Sequence, residues 1–454
     1  MKRRVSRFII FISCSLVSIT AVAQTLPQPI RVTLVSEDIT NTGQDEEASP
    51  SDVPQSSTKS SKGSKNRNKL GRKHDIYDLL FPKAGLCDAW QLFPEFRNGF
   101  QLSGWFEAGV TANEWNTDSR YNGPVGFNDR RDFQVNQLYA VLERKAESHK
   151  GALGFGARID VMFGTDYVYN QMTGWETHSN NDNRWNNRSH YGLVTPQAYG
   201  EITSDRLSFK LGRFYSIMGY ENPQATSNFF YSHAYTRLYA EPFAHTGGLF
   251  TYDHSSQWTL FGGMVNGWDR FDADSDGLAF LGGGTYTPDH SDYSITGTVI
   301  SGSEPNGSGA QTPRTAYSLV FDWQLDDTWE YVAQHDLGWQ EDIGPSSSEA
   351  KWYGINQYLY YTHNDCWKFG ARFEWFRDES GIRVHGVRGT NPYAGGSSGD
   401  FFGLTGGANW TPTENVVIRP ELRWDMFDGV GALPFNDGVS DSQITAAIDF
   451  VLSF

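Results

Sequence analysis

Between Cys366 and Asp378, Lys368, Arg372 and Glu374 fall on even-numbered positions. Between Val416 and Asp425, Arg419, Glu421, Arg423 and Asp425 fall on odd ones. Successive side chains of an extended chain point to opposite faces, so each charged set would share one face. The alternate positions carry Trp367, Phe369, Ala371, Phe373 and Trp375 in the first stretch and Ile418, Pro420, Leu422 and Trp424 in the second. Two further stretches repeat the division: Arg158 and Asp160 oppose Phe155, Ala157, Ile159 and Val161, and Lys210 opposes Leu207, Phe209 and Leu211. A basic residue turned toward hydrocarbon near a bilayer midplane costs about 2–4 kcal/mol, so the charged faces must meet water while the apolar faces can meet lipid. The chemistry open to such rows is electrostatic. Opposed Arg/Lys and Asp/Glu set a transverse field across a water path, with Arg372, Arg419 and Arg423 as its basic side and Asp160, Asp322 and Asp336 as acidic groups elsewhere. The other reading is that these charges pair and fill an interior whose polar groups need partners in any case.

Three smaller constellations suggest other chemistry. Asp272, Asp274 and Asp276, followed by Gly277, have the spacing of a calcium loop, in which alternate carboxylates converge on one hard cation. Position twelve of that loop is Gly283, where a bidentate Glu is needed, so a solvated acidic loop is the favoured reading and calcium a weak candidate. Cys87 and Cys366 both fall on the expected periplasmic side of an exported chain, so a disulfide clamping the N-terminal segment to the rim is geometrically allowed; two unpaired thiols is the alternative. Ser232-His233 and His335-Asp336 bring hydrolase residue types together. Sequence neighbours on a strand point apart, however, so neither pair makes a dyad by itself.

The elements that must position these residues are strands. From Phe100 onward the period-2 pattern bounded by turn residues predicts sixteen of them, and the connections alternate long and short. The segments 114–132, 165–193 and 215–245 are long, whereas 146–149, 204–205 and 254–256 are short. An outer-membrane barrel has short periplasmic turns and long external loops, and a soluble sandwich has no reason to alternate them. The last stretch, Ile444 to Phe454, places Ile444, Ala446, Ile448, Phe450, Leu452 and Phe454 on one face, as expected of a closing strand recognised by the barrel-assembly machinery. The fold class expected is therefore all-β: a transmembrane antiparallel β-barrel of about sixteen strands, with short periplasmic turns and long extracellular loops.

Export is expected from the start of the chain. Lys2, Arg3, Arg4 and Arg7 precede an apolar run to Val22, with a cleavage site after Ala23. Residues 24–74 read as a disordered Ser/Lys-rich periplasmic linker, 75–99 as a short segment at the periplasmic mouth, and 100–454 as the barrel in the cell outer membrane. The chain has 454 residues, with 15 Trp, 22 Tyr and 30 Phe, and its mean hydropathy of −0.51 suits a barrel in which only alternate residues face lipid. A formal charge of −16 disfavours a nucleic-acid partner.

The runs GFQLSGWFEAGVTAN (99–113), DFQVNQLYAVLERK (132–145) and LSFKLGRFYSIMGYENPQATSNFFYSHAY (207–235), with the terminal Phe454, resemble the OmpL-like β-barrel porin family. That resemblance implies a passive outer-membrane channel for small hydrophilic solutes, without cofactor or catalysis. By analogy with general porins, the long loop 215–245 would fold inward as a constriction, with Glu221, Asn222, Tyr231 and Arg237 facing Arg372, Arg419 and Arg423. Its aromatic residues, among them Phe229, Phe230, Tyr235 and Tyr239, could instead form a subunit contact or an interfacial girdle. The pore-lining set expected is Arg158, Asp160, Lys210, Lys368, Arg372, Glu374, Arg419, Glu421 and Arg423. Partners are outer-membrane lipid, the assembly machinery, the solutes and, as one possible assembly, a homotrimer. The rival functions are a plugged structural or adhesive barrel and, more remotely, a barrel hydrolase.

Overall fold

The computed structural model describes residues 92–93, 96, 98–115, 121–125, 132–149, 151–178, 182–186, 190–272, 277–306, 308–343, 348–384 and 396–454. The expected leader and linker, most of the N-terminal segment, Cys87, Asp274 and Asp276 lie outside the described residues.

A single antiparallel sheet runs through β1 (Gln101–Asn113), β2 (Gln134–Arg144), β3 (Gly154–Gly164), β4 (Gly192–Val194), β5 (Ala198–Ser204), β6 (Leu207–Tyr215), β7 (Ala244–Asp253), β8 (Trp258–Val265) and β9 (Ala279–Tyr286). It continues through β10 (Tyr293–Pro305), β11 (Gln311–Gln324), β12 (Trp329–Gln340), β13 (Ala350–Asn364), β14 (Trp367–Asp378), β15 (Ser397–Thr413), β16 (Val416–Gly431) and β17 (Ser442–Ser453). β1 pairs with β17 from Trp105↔Ser453 to Asn113↔Thr445, which closes the sheet into a barrel and removes its edges. Gly104 and Phe454 complete that seam by exchanging backbone hydrogen bonds of 2.8 Å.

β4 and β5 both pair with β3, so they are two pieces of one stave, and the seventeen segments make sixteen staves. The sequence pattern predicts this stave as one strand over 194–203. It is broken at 195–197 because Pro196 has no N–H to donate. Gln197 turns its side chain inward there, donating to Asp160 Oδ2 at 2.9 Å and accepting from the Tyr215 N–H at 3.2 Å.

Register fixes which residues share a face. Leu422 lies opposite Ala446 and Trp424 opposite Ile444 on the outside, while Arg419 lies opposite Asp449 and Asp425 opposite Gln443 on the inside. Outer residues such as Leu422 (58% exposed), Phe373 (44%) and Ile448 (45%) form an apolar belt around the barrel. The packed core lies inside the barrel, where Tyr235, Leu238, Tyr239 and Phe243 meet Trp352, Phe376 and Phe401.

Candidate functional site: the inward-folded loop

The segment between β6 and β7 supplies those central residues. It contains a one-turn 3-10 helix, Ala225–Ser227, and a one-turn α-helix, Tyr235–Tyr239, too little regular structure to satisfy its own backbone. Buried N–H and C=O groups need partners, so the wall must provide them. Three arginines and two glutamates of β14 and β16 do so. Arg419 Nη1 donates to the carbonyls of Ala225 and Asn228, each at 2.8 Å. Arg372 donates to Ser232 O at 2.7 Å and to Ser232 Oγ at 2.9 Å, and Arg423 Nη1 donates to His233 O at 2.9 Å. In return, Glu421 accepts from the N–H groups of Tyr231 and Ser232, at 2.9 and 3.2 Å, and Glu374 accepts from that of Tyr235 at 2.7 Å.

The same arginines are held from behind by carboxylates. Arg419 lies between Glu107 of β1 (2.8 Å) and Asp449 of β17 (2.5 Å). Arg372 bonds Glu374 and the loop residue Glu221, each at 2.8 Å. Arg423 bonds Asp425 at 2.8 Å and Glu374 at 3.1 Å. The exposures of Arg372, Arg419 and Arg423 are 0%, 3% and 1%. The sequence reading of a basic wall open to solution is therefore corrected: these residues face inward, but the loop covers them. Burying a guanidinium requires acceptors for its donors, and carboxylates behind with loop carbonyls in front supply most of them here; Arg423 Nη2 is the exception, buried without a hydrogen-bond partner among the described residues.

Within the loop, Glu221 Oε2 also accepts from the Ala234 N–H at 2.9 Å and lies 3.2 Å from His233 Nδ1, while Tyr358 OH donates to Oε1 at 3.0 Å. Burial opposes its ionisation, but Arg372 and His233 outweigh burial and hold its carboxyl at about 2. Asn222 braces the loop internally: its N–H donates to Asn228 Oδ1 at 2.9 Å, and its carbonyl accepts from Asn228 Nδ2 at 2.6 Å. Tyr231 OH donates to Asn136 Oδ1 of β2 at 2.8 Å. Arg237 does not face the far wall as expected; it stacks on Phe243 (4.5 Å) and lies 4.0 Å from Glu241. Glu241 has no well-formed hydrogen bond among the described residues, and burial pushes that carboxyl well above the usual carboxylate range despite Arg237 and the nearby Gln334 amide. Gly219, at φ 81°, lies so close to Glu241 that a side chain there would strike the carboxylate.

The remaining expected lining residues belong to the short-turn half. Arg158 bonds Asp160 at 2.8 Å, and Lys368 bonds Glu330 at 2.8 Å; Arg158 and Lys368 keep solvent access, and so do Lys210 and Asp322. Asp160 is fully buried and takes the Tyr139 hydroxyl at 2.5 Å. Asp336 is buried beside Gln334, which donates to it at 2.6 Å.

Across the lumen the wall has a different character. The inner face of β7 to β10 carries Gly247, Leu249 and Thr251, then Phe261, Gly263 and Val265, then Ala279, Leu281, Gly283 and Thr285, then Thr296, Thr298 and Ile300. No charged residue interrupts that face between Asp253 at one end and Glu304 at the other. Thr251, Phe261, Gly263, Gly283, Thr285 and Thr296 retain partial exposure.

The model of the family described as "Putative beta-barrel porin-2, OmpL-like" matches residues 99–454. The chain belongs to that family. No curated protein matches the chain in sequence. Among solved structures, it is similar to the anion-selective porin from Comamonas acidovorans, at 12% identity and a TM-score of 0.55, covering 78% of this chain and 99% of that one. It is also similar to Salmonella typhi OmpF in complex with daunomycin (14% identity, TM-score 0.52, covering 79% and 99%) and to the trimer form of in-vitro folded Vibrio cholerae OmpT (9%, 0.52, covering 78% and 99%). At these identities the likeness establishes the fold, a closed sixteen-strand porin barrel.

Sequence reasoning missed several members of this site. Glu107 and Asp449 stand alone in otherwise uncharged strands, although register opposite Arg419 would have found Asp449. Gln137 joins Pro223 O (2.8 Å), the Ala225 N–H (3.2 Å) and Trp105 Nε1 (2.9 Å). Of the other constellations, Asp272 is exposed, and Cys366 is buried in the short turn between β13 and β14 with no sulfur partner among the described residues. Ser232 Oγ accepts from Arg372 while His233 turns to Glu221, so the two are not joined. His335 stacks on Tyr317 at 5.6 Å, on the opposite side of the wall from Asp336.

Proposed function

We propose that this chain is an outer-membrane porin through which small hydrophilic solutes diffuse down their gradients. On this reading the short turns face the periplasm and the long loops face outside. The observation that carries it is the asymmetry of the lumen: the loop is tied to β2, β13, β14 and β16, and the facing wall of β7 to β10 carries no charge between its ends and keeps Gly and Thr positions partly accessible among buried Leu249, Val265, Leu281 and Ile300. A solute moving along that wall meets hydroxyls that exchange hydrogen bonds with water at little cost and no fixed charge that would trap it. Lys210, Arg158, Lys368 and Glu330 would then act on solutes at the periplasmic vestibule. Membrane insertion follows from the apolar belt, with the β17 strand ending at Phe454 as the segment presented to the assembly machinery. A homotrimer is the assembly proposed, in line with the trimer form of the similar Vibrio cholerae barrel.

Planar-bilayer recording on the refolded protein tests this. Stepwise openings of constant size support a diffusion pore, and the reversal potential in a salt gradient gives its ion preference. Silence from a correctly folded, heat-modifiable barrel would sink the reading and leave a plugged structural barrel.

A further inference from the structure

At the long-loop end of the lumen, two guanidinium groups share one indole. Arg383 lies 5.1 Å from the Trp268 ring and 4.8 Å from the Trp352 ring, and Arg314 of β11 lies 5.0 Å from Trp268. The two indoles meet edge to face at 6.0 Å, so they form a corner in which Arg383 is stacked. Its backbone is fixed as well: the buried Asp378 carboxylate accepts the N–H groups of Ile382, Arg383 and Val384 at 3.2, 2.7 and 3.0 Å.

The arrangement leaves donors unused. Arg383 Nε donates to Tyr239 O of the inward loop at 2.7 Å, but Nη1 and Nη2 meet no acceptor, and no carboxylate lies within 4.0 Å of them among the described residues. The carboxylates nearby are already committed. Asp378 is taken by the turn, Asp269 accepts the N–H groups of Phe243 and Ala244, and Glu304 accepts that of Trp268 at 2.7 Å while lying 3.8 Å from Arg314. Burial and then the neighbouring Arg314 charge bring Arg383 down to about 10, against the pull of Asp378, Asp269 and Glu304. A planar, preorganised guanidinium edge with free N–H groups matches the oxygens of a carboxylate or a phosphate.

We propose that Arg383, with Arg314 beside it, is a binding site for small oxyanions inside the long-loop end of the lumen. Arg383 supplies the paired donors, Arg314 adds field, and the two tryptophans hold the geometry. The site is lumenal, since it abuts the inward loop and the inner face of β13, so its ligand is a dissolved solute and not a lipid headgroup.

The test is isothermal titration of the detergent-refolded full chain with inorganic phosphate and, separately, with acetate, which tells a phosphate from a carboxylate preference. Saturable binding of either anion is expected, weakened at least tenfold by Arg383→Gln. Arg383→Lys, which keeps the charge and loses the fork, should fall between the two, and it carries the comparison if the Gln variant does not fold. Equal affinities in wild type and variant, or no saturable binding in the wild type, would overturn the site. Because binding is read without current, a barrel that fails to conduct leaves this result standing, and a barrel that conducts without binding anions refutes the site alone.

Discussion

The wall formed by β14, β16, β17 and β1 and the wall formed by β7 to β10 come from the same pleated alternation, yet they do opposite things with it. On the first, the inward positions of β14 and β16 carry Arg372, Glu374, Arg419, Glu421 and Arg423, which reach across to hold a loop, and β1 and β17 add one carboxylate each behind them. On the second, the inward positions between Asp253 and Glu304 are uncharged: Leu249, Val265, Leu281 and Ile300 are buried in the packed core, while Thr251, Gly263, Gly283, Thr285 and Thr296 stay partly exposed. Charge in this lumen builds structure where it is dense, and the proposed solute path runs along the wall where it is absent. Buried ion pairs of this kind return little net stability compared with well-packed apolar groups, but removing one partner leaves the other uncompensated.

The largest expected effect breaks the charged wall. Arg419→Ala strips two loop carbonyls of their donor and strands Glu107 beside Asp449, at a cost of about 3–5 kcal/mol. It should lower the heat-modification temperature sharply and raise single-channel conductance as the loop comes free; unchanged conductance would mean that the loop does not narrow the pore.

Next in size is Glu221. Replacing a charged hydrogen-bond partner by Gln should cost about 1.5–3 kcal/mol. Its folded pKa of about 2 lies below the unfolded value near 4.3, so its contribution is complete above that unfolded value and drains away as pH falls toward 2. A pH titration of loop opening should therefore show an acid transition in wild type that Glu221→Gln lacks. An identical acid profile in the two proteins would assign the transition elsewhere.

A smaller effect on stability, within about 0.5 kcal/mol, is expected when a charge is placed on the smooth wall. Thr251→Lys should move the reversal potential toward anions with little change in folding; if selectivity does not respond, solutes do not follow β7. Smallest of all is the pair inside the loop. Arg237 and Glu241 are separated by 4.0 Å and leave several polar atoms unpaired, so Arg237→Met with Glu241→Leu should leave stability within about 1 kcal/mol of wild type or raise it. Urea or heat midpoints would check this, and a loss as large as that of Arg419→Ala would contradict the contrast.

The barrel was legible in the sequence because alternation is a local signal, visible in Phe369, Phe373 and Trp375 against Lys368, Arg372 and Glu374. The broken stave at Pro196 escaped it because pairing with β3 continues on both sides of the break. The inward direction of Arg372, Arg419 and Arg423 was readable in the same way, whereas their coverage was not. Their acceptors are backbone carbonyls of Ser232, Ala225 and His233, some 140 to 194 residues away, and a carbonyl leaves no mark in a sequence. Arg383 was missed for a related reason: it sits in a turn with no periodicity, and its meaning comes from two tryptophans on separate elements.

Arg419 has one more consequence, which concerns the order of events during biogenesis. Its guanidinium joins the first strand through Glu107, the last through Asp449 and the loop through Ala225 and Asn228. Glu107 and Asp449 come together only when β1 zips to β17, so the latch has no complete seat until the final strand has arrived. Folding the loop home is then coupled to completion of the ring, and an unfinished barrel stays unlatched at its centre.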